Sequence, residues 1–77
     1  MFLDECEVGY SGKIKKLEGN LKVRQRLLAM GLTPGIEILL VRKAPLGDPL
    51  EIKIRNYSLS LRKEEAKYIE ITGGDRV

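Results

Sequence analysis

The sequence predicts a mainly β protein: a small closed barrel of five or six short strands, with one α-helix inserted at about residues 21–30. Three observations carry this. Short runs rich in Ile, Leu and Val recur along the chain, and the clearest of them alternate apolar with polar residues. Gly, Pro and Asn cluster between these runs at turn spacing. A single long segment carries its apolar residues at helical spacing instead. Closure into a barrel also removes the exposed sheet edges that a basic, β-rich domain would otherwise have to guard.

Taken in order, Gly9 and Gly12 flank Tyr10-Ser11 and signal a turn before a strand at Lys13–Leu17. Ile14 and Leu17 do not alternate within that strand, which predicts a bulge or bend. Asn20 is a good N-cap, and Val23, Leu27 and Met30 then recur at i, i+4 and i+7. Gly31 supplies the left-handed residue of a C-cap, and Leu32 can fold back on Leu27 as in a Schellman motif. Thr33-Pro34-Gly35-Ile36 reads as a type II turn, with Pro fixing φ and Gly taking φ > 0. Ile36–Lys43 has Ile36, Ile38 and Leu40 on one face and Leu39 and Val41 on the other, as a central strand partly buried on both sides would.

Ala44–Pro49 is a loop by its two prolines and glycine. Leu50–Arg55 alternates strictly, and Ser58–Arg62 alternates again after Asn56-Tyr57, where Asn tolerates a tight hairpin turn. Lys63–Lys67 has length for one helical turn only. Tyr68–Ile71 closes the fold with Ile69 and Ile71 inward. The expected core is Val23, Leu27, Met30, Ile38, Leu40, Ile52, Ile54, Leu59, Leu61, Ile69 and Ile71. The whole of residues 1–77 reads as one domain, with its core at about 8–71 and a polar tail at 72–77.

Composition narrows the function. The chain has 77 residues, one cysteine and no histidine. One cysteine cannot form an internal disulfide, so the domain has no covalent staple, which suits a reducing compartment. There is no apolar run long enough to span a bilayer and no basic start like that of a signal peptide, so a cytosolic location is expected. Without histidine, the commonest acid–base residue is missing, and no glycine-rich phosphate loop is visible, so catalysis is not expected. Charge is unevenly spread: residues 1–10 hold three acids, residues 11–43 hold eight bases against Glu18 and Glu37, and residues 44–77 hold six of each sign. Such a basic middle reads chiefly as a solvated face. Nucleic-acid binding is disfavoured, because Phe2, Tyr10, Tyr57 and Tyr68 form no stacking series on one strand pair.

The passage Arg26-Leu27-Leu28-Ala29-Met30-Gly31-Leu32-Thr33-Pro34-Gly35 resembles the signature of the FeoA family. The later runs Ala44–Ile52 and Tyr57–Ala66 resemble that family's second half, in the same order and spacing. The resemblance spans about residues 8–71. It implies an SH3-like barrel with a helical insertion. It also implies a soluble partner of FeoB, an Fe(II) permease with a cytosolic GTP-binding domain that this chain would contact. The membrane is then reached only through the partner. The same module ends iron- and manganese-responsive repressors, but no DNA-binding helix-turn-helix precedes this barrel, which favours the transport accessory. The acidic start, Cys6 and the Gly73–Val77 tail lie outside the recognised pattern.

Within that frame the candidate sites are surfaces. Loop Ala44–Pro49 spends about six residues where a hairpin can turn in two, and it carries the apolar Leu46 at its tip. Arg42, Lys43, Pro45, Leu46 and Asp48, with Tyr57, are therefore candidates for partner binding. The basic helix, through Lys22 and Arg26 with Arg24, and with Leu21 or Leu28 left partly exposed, is a second candidate for docking to an acidic groove. The bland alternatives are a loop merely stiffened by proline and a helix packed in the ordinary way. Asp4, Glu5, Cys6 and Glu7 form the densest group of possible metal ligands, but alternation along a strand would separate neighbours, and Fe(II) or zinc sites usually draw on imidazole or several thiolates. No metal site and no cofactor are expected. A metallochaperone or metal-responsive module is the alternative function. Self-association stays open, since small barrels can pair through edges and loops.

Overall fold

The computed structural model describes residues 1–55 and 57–72. Its five strands are β1 (Ser11–Leu17), β2 (Glu37–Lys43), β3 (Leu50–Ile54), β4 (Tyr57–Leu61) and β5 (Ile69–Ile71). Helix α1 (Leu21–Ala29) joins β1 to β2, and the single turn α2 (Lys63–Ala66) joins β4 to β5. All neighbours are antiparallel, in the order β4-β3-β2-β1-β5. β2 is the middle strand, as its two-sided apolar pattern predicts.

β1 shows how the sheet curls around one core. Its first residues pair with β2 (Ser11 with Leu39) and its last with β5 (Leu17 with Ile69). The register against β5 shifts between Ile14 and Lys16, which is the expected bulge. That bulge turns Ile14 and Leu17 inward and leaves Lys15 and Lys16 in solvent. Gly12 lies inside β1 rather than in a turn: a Cβ there would stand 2.8 Å from both the Ile71 side chain and the Thr72 carbonyl oxygen. The turn itself is one step earlier, with the Tyr10 amide donating to the Glu7 oxygen (3.0 Å). Among the described residues no ladder joins β4 to β5, where the sequence predicts full closure. α2 connects the two strands and puts Ala66 into the core.

Local signals hold well around α1. Asn20 Oδ1 accepts from the Val23 amide (2.9 Å), so the N-cap is made by the residue expected. Asn20→Ala is expected to cost about 1 kcal/mol, read as a fall of several degrees in Tm. At the other end the Leu32 amide donates to the Leu27 oxygen (3.1 Å) and the Gly31 amide to the Leu28 oxygen (2.9 Å), the paired bonds of a Schellman cap. Leu27 and Leu32 are both buried. Ile36 donates to the Thr33 oxygen (3.2 Å), with Gly35 at φ +92, as the type II turn requires.

The core departs from expectation mainly at the N-terminus. Leu3, Cys6, Tyr10, Ile14, Leu17, Leu32, Leu50 and Ala66 join it, while Val23, Met30 and Leu59 are only half-buried against it. Residues Leu3–Glu5 form a 3-10 turn, not the start of a strand. That turn points Leu3 inward, and Cys6 follows it into the core. Long-range contacts tie the segment to β5 and the residue after it: a bridge between Phe2 and Glu70, the Ile71 amide donating to the Met1 oxygen (2.7 Å), and Tyr10 Oη donating to the Thr72 oxygen (3.1 Å). Val41 is exposed rather than half-buried, because it is the extra residue of a bulge between Leu40 and Arg42. Among the described residues of the β3–β4 connection, Arg55 has a positive φ (52). Asn56, expected to make that turn, and the Gly73–Val77 tail lie outside the described residues.

Candidate functional site

Two regions emerge from the residues singled out above. The first is the β2–β3 loop. Ala44 accepts from the Gly47 amide (2.7 Å) and donates to the Pro49 oxygen (3.0 Å), so the loop has a hydrogen-bonded frame. Pro45 and Leu46 occupy the two central positions of its turn, and Leu46 is 92% exposed. Nothing within the described fold covers it. Arg42 is exposed beside the bulge and Lys43 is half-buried. A hydrogen-bonded frame that presents one apolar side chain, with two cations just before it at the end of β2, is suited to insertion into a partner.

Asp48 does a different job. Its Oδ1 accepts from the Lys63 amide (3.0 Å), which satisfies a free donor at the start of α2 from 15 residues away. Tyr57 also separates from the loop. It opens β4, opposite Ile54, whereas the loop abuts the far end, where Leu50 pairs with Leu61. Four residue steps along the strand, about 13 Å, separate the two ends. Tyr57 Oη instead donates to the Met30 oxygen (3.2 Å) at the end of α1. The loop and the tyrosine therefore belong to opposite ends of the sheet.

The second region is α1. Arg26 reaches Glu65 of α2 (3.2 Å), so its charge is engaged within the fold. That oxygen of Glu65 is buried and its ion pair lacks hydrogen-bond geometry, while the other oxygen accepts from the Arg62 amide (3.0 Å). Lys22 is exposed and pairs with no acid among the described residues. Of the helix residues only Leu27 is fully buried. Leu21 and Leu28 face away from it, 61% and 43% exposed, and edge a groove of about 430 Å³ between α1, β1 and Pro34. The two leucines are legible in the sequence and the groove is not, because the approach of α1 to β1 is tertiary.

A larger open concavity of about 760 Å³ lies on the outer face of β1–β3, where Lys13, Lys53 and Arg55 surround Glu37. It mixes signs and has no buried polar group directed into it. Among the described residues no three His, Cys, Asp or Glu side chains are placed to hold one metal ion. The acidic start is divided by the 3-10 turn: Cys6 goes inward while Glu5 accepts from the Phe2 amide (2.9 Å).

Cys6 is buried with its Sγ 3.6 Å from the Phe2 oxygen. Burial pushes its thiol pKa above the ordinary value, against a weaker downward pull from Lys43. The fold therefore holds the neutral thiol. Its contribution to stability is full below the ordinary thiol pKa and fades as pH rises from there through the raised value. Native protein is expected to react with a thiol reagent at pH 8 at least about tenfold slower than unfolded protein. Equal rates in the two states would contradict this burial.

Comparison with known proteins gives this geometry a family. A model described as the FeoA domain matches residues 1–73. The chain belongs to the FeoA family. A curated relative from Porphyromonas gingivalis, an Fe(2+) transport protein A/Fe(2+) transporter FeoB fusion protein, is 41% identical over 71 residues. The match covers 92% of this chain but only 8% of that relative. An FeoA-like protein from Clostridium acetobutylicum is 42% identical, with a TM-score of 0.84, covering 92% of this chain and 85% of that one. FeoA from Stenotrophomonas maltophilia, solved with zinc and described as an SH3 domain protein, is 27% identical with a TM-score of 0.82, covering 99% and 96%.

The FeoA fold is thus SH3-like, as the resemblance implied, with five antiparallel strands and one inserted helix. A manganese-dependent transcriptional repressor superposes with a TM-score of 0.85 at 12% identity, covering 95% of this chain and 41% of that one. At that identity it shares the fold alone. FeoA membership implies an accessory role in ferrous iron transport. No described helix is long and apolar enough to cross a membrane.

Proposed function

We propose that this FeoA chain is a non-enzymatic accessory of ferrous iron uptake that binds a FeoB-type Fe(II) transporter, through the transporter's cytosolic GTP-binding domain. The observation that carries the reading is the Porphyromonas gingivalis relative, whose name joins transport protein A and the transporter FeoB in one polypeptide. Covalent joining holds two modules at high effective concentration, which suits modules that work in contact. Separate modules need a surface to do the same.

The β2–β3 loop supplies one such surface. Leu46 is the anchor, Pro45 limits the freedom of the turn, and Arg42 and Lys43 add charge for an acidic partner. Co-purification of the tagged chain with the FeoB-type transporter from the membranes of its own organism tests the association. Leu46→Ala is expected to weaken that association at least about tenfold while Tm stays within a degree or two, since the side chain touches little of the core. Unchanged affinity in a folded Leu46→Ala variant would remove the loop from the interface.

A further inference from the structure

The groove between α1 and β1 has a chemistry that folding does not explain. On a helical wheel, Val23, Leu27 and Met30 form the stripe that faces the core. Leu21 and Leu28 form a second apolar stripe, roughly 140° around the helix from the first. They are one heptad, about 10 Å, apart along the axis. With Pro34 opposite and buried Leu17 beneath, they give the groove an apolar floor.

The rim has a single sign. Lys15, Lys16 and Arg24 line it, and no acidic residue does. Lys22 adds a further exposed cation on the same helix. Two of the rim cations have acid neighbours just outside: Lys15 lies 3.9 Å from Glu70, and Lys16 lies 3.3 Å from Glu18. Both lysine side chains are more than half exposed, so these pairs are weak and readily exchanged for another carboxylate. Two apolar anchors a heptad apart, between walls of positive charge, match an amphipathic helix with apolar residues on one face and acids on its flanks.

We propose that this groove docks an acidic amphipathic helix of the transporter partner, with its apolar face on Leu21 and Leu28 and its carboxylates on Lys15, Lys16 and Arg24. This rests on the association with a FeoB-type transporter proposed above. The groove lies beside Pro34, before β2, whereas the loop follows β2 at its other end, so the two surfaces can be varied independently.

The test is the affinity of the intact chain for the transporter reconstituted in nanodiscs, compared with Leu21→Ala/Leu28→Ala and Arg24→Glu variants. Both leucines are exposed and Ala favours helix, so the double variant should keep its Tm. The expected result is binding by the native chain, a loss of about tenfold or more in each variant, and a several-fold loss for the native chain as salt rises from low to high. Binding that is equal in the native and groove variants overturns the groove and leaves the association standing.

Failure of the native chain to bind removes the transporter as partner. The groove is then judged with a synthetic helix bearing leucine on one face and glutamate on the other, against its lysine counterpart. Amide shifts at Lys15–Leu17 and Leu21–Leu28 with the glutamate peptide alone retain the recognition chemistry with a different partner. No shifts, equal shifts with both peptides, or concentration-dependent shifts without peptide (a second copy on the groove) overturn it, as does equal binding of native chain and variants to anionic vesicles when neither peptide binds.

Discussion

Leu40→Ala is expected to lower stability by about 2–5 kcal/mol, toward the upper end of that range. Leu40 is 0% exposed and lies in β2, the middle strand of the five. It pairs with Ile52, also 0% exposed, across β3. Its own backbone is tied on the other side, donating to the Tyr10 oxygen (2.9 Å) and accepting from the Gly9 amide (2.8 Å). Strands bonded on both sides cannot slide inward to fill the space left by an isobutyl group, so the cavity persists and its cost adds to the lost transfer energy. A 77-residue domain has a total stability of about 4–12 kcal/mol, so this one change can consume half of it. Urea unfolding at constant slope measures the loss. A loss below about 1 kcal/mol would mean that the core collapses around the site and that β2 is not its rigid centre.

Gly31→Ala is expected to cost about 2–3 kcal/mol, through two separable effects. Gly31 sits at φ +92 in the Schellman cap, where a Cβ is disfavoured by roughly 1–2 kcal/mol. A Cβ there would also lie 2.5 Å from Tyr57 Oη, which must then move and give up its bond to the Met30 oxygen. The next atom of the ring is 3.9 Å away, in ordinary contact. Tyr57→Phe therefore removes the clash and leaves the backbone cost. In a double-mutant cycle, Gly31→Ala in the Tyr57→Phe background should cost about 1 kcal/mol less than in the native chain. Strict additivity would show that Tyr57 does not press on the cap.

The elements that could be read from the sequence are those whose determinants are local. Asn20, Leu27, Gly31 and Leu32 lie within thirteen residues, and they cap and stop α1 as their chemistry predicts. The alternation of Leu50–Ile54 needed only its own period of two. The bulge in β1 was legible because Ile14 and Leu17 break that period. What escaped depends on distant partners. Leu3 and Cys6 look like the apolar minority of an acidic start, and only the tie of Phe2 and Met1 to β5 makes them core. Val41 alternates correctly by sequence but is displaced by a bulge whose cause lies in the pairing with β3.

The candidate surfaces divide in the same way. Leu46 stands at an exposed tip because two prolines and a glycine keep its segment out of the sheet, and those residues are visible in the sequence. Asp48 and Tyr57 join it as candidates in the sequence, but their partners lie far along the chain. The fold gives Asp48 to α2 and Tyr57 to the end of α1, across 15 and 27 residues. Arg26 and Lys22 differ for a like reason: α2 brings Glu65 to one and no acid among the described residues to the other.

The most direct test of the central claim, that this FeoA chain works by binding a FeoB-type transporter, is an NMR titration of the labelled protein with the cytosolic GTP-binding domain of that transporter, in GDP and GTP-analogue forms. The expected result is saturable shifts confined to residues 42–47 or to the groove formed by 15–17, 21–28 and 34. The absence of shifts with the domain in excess, repeated with the full-length transporter in nanodiscs, would contradict it.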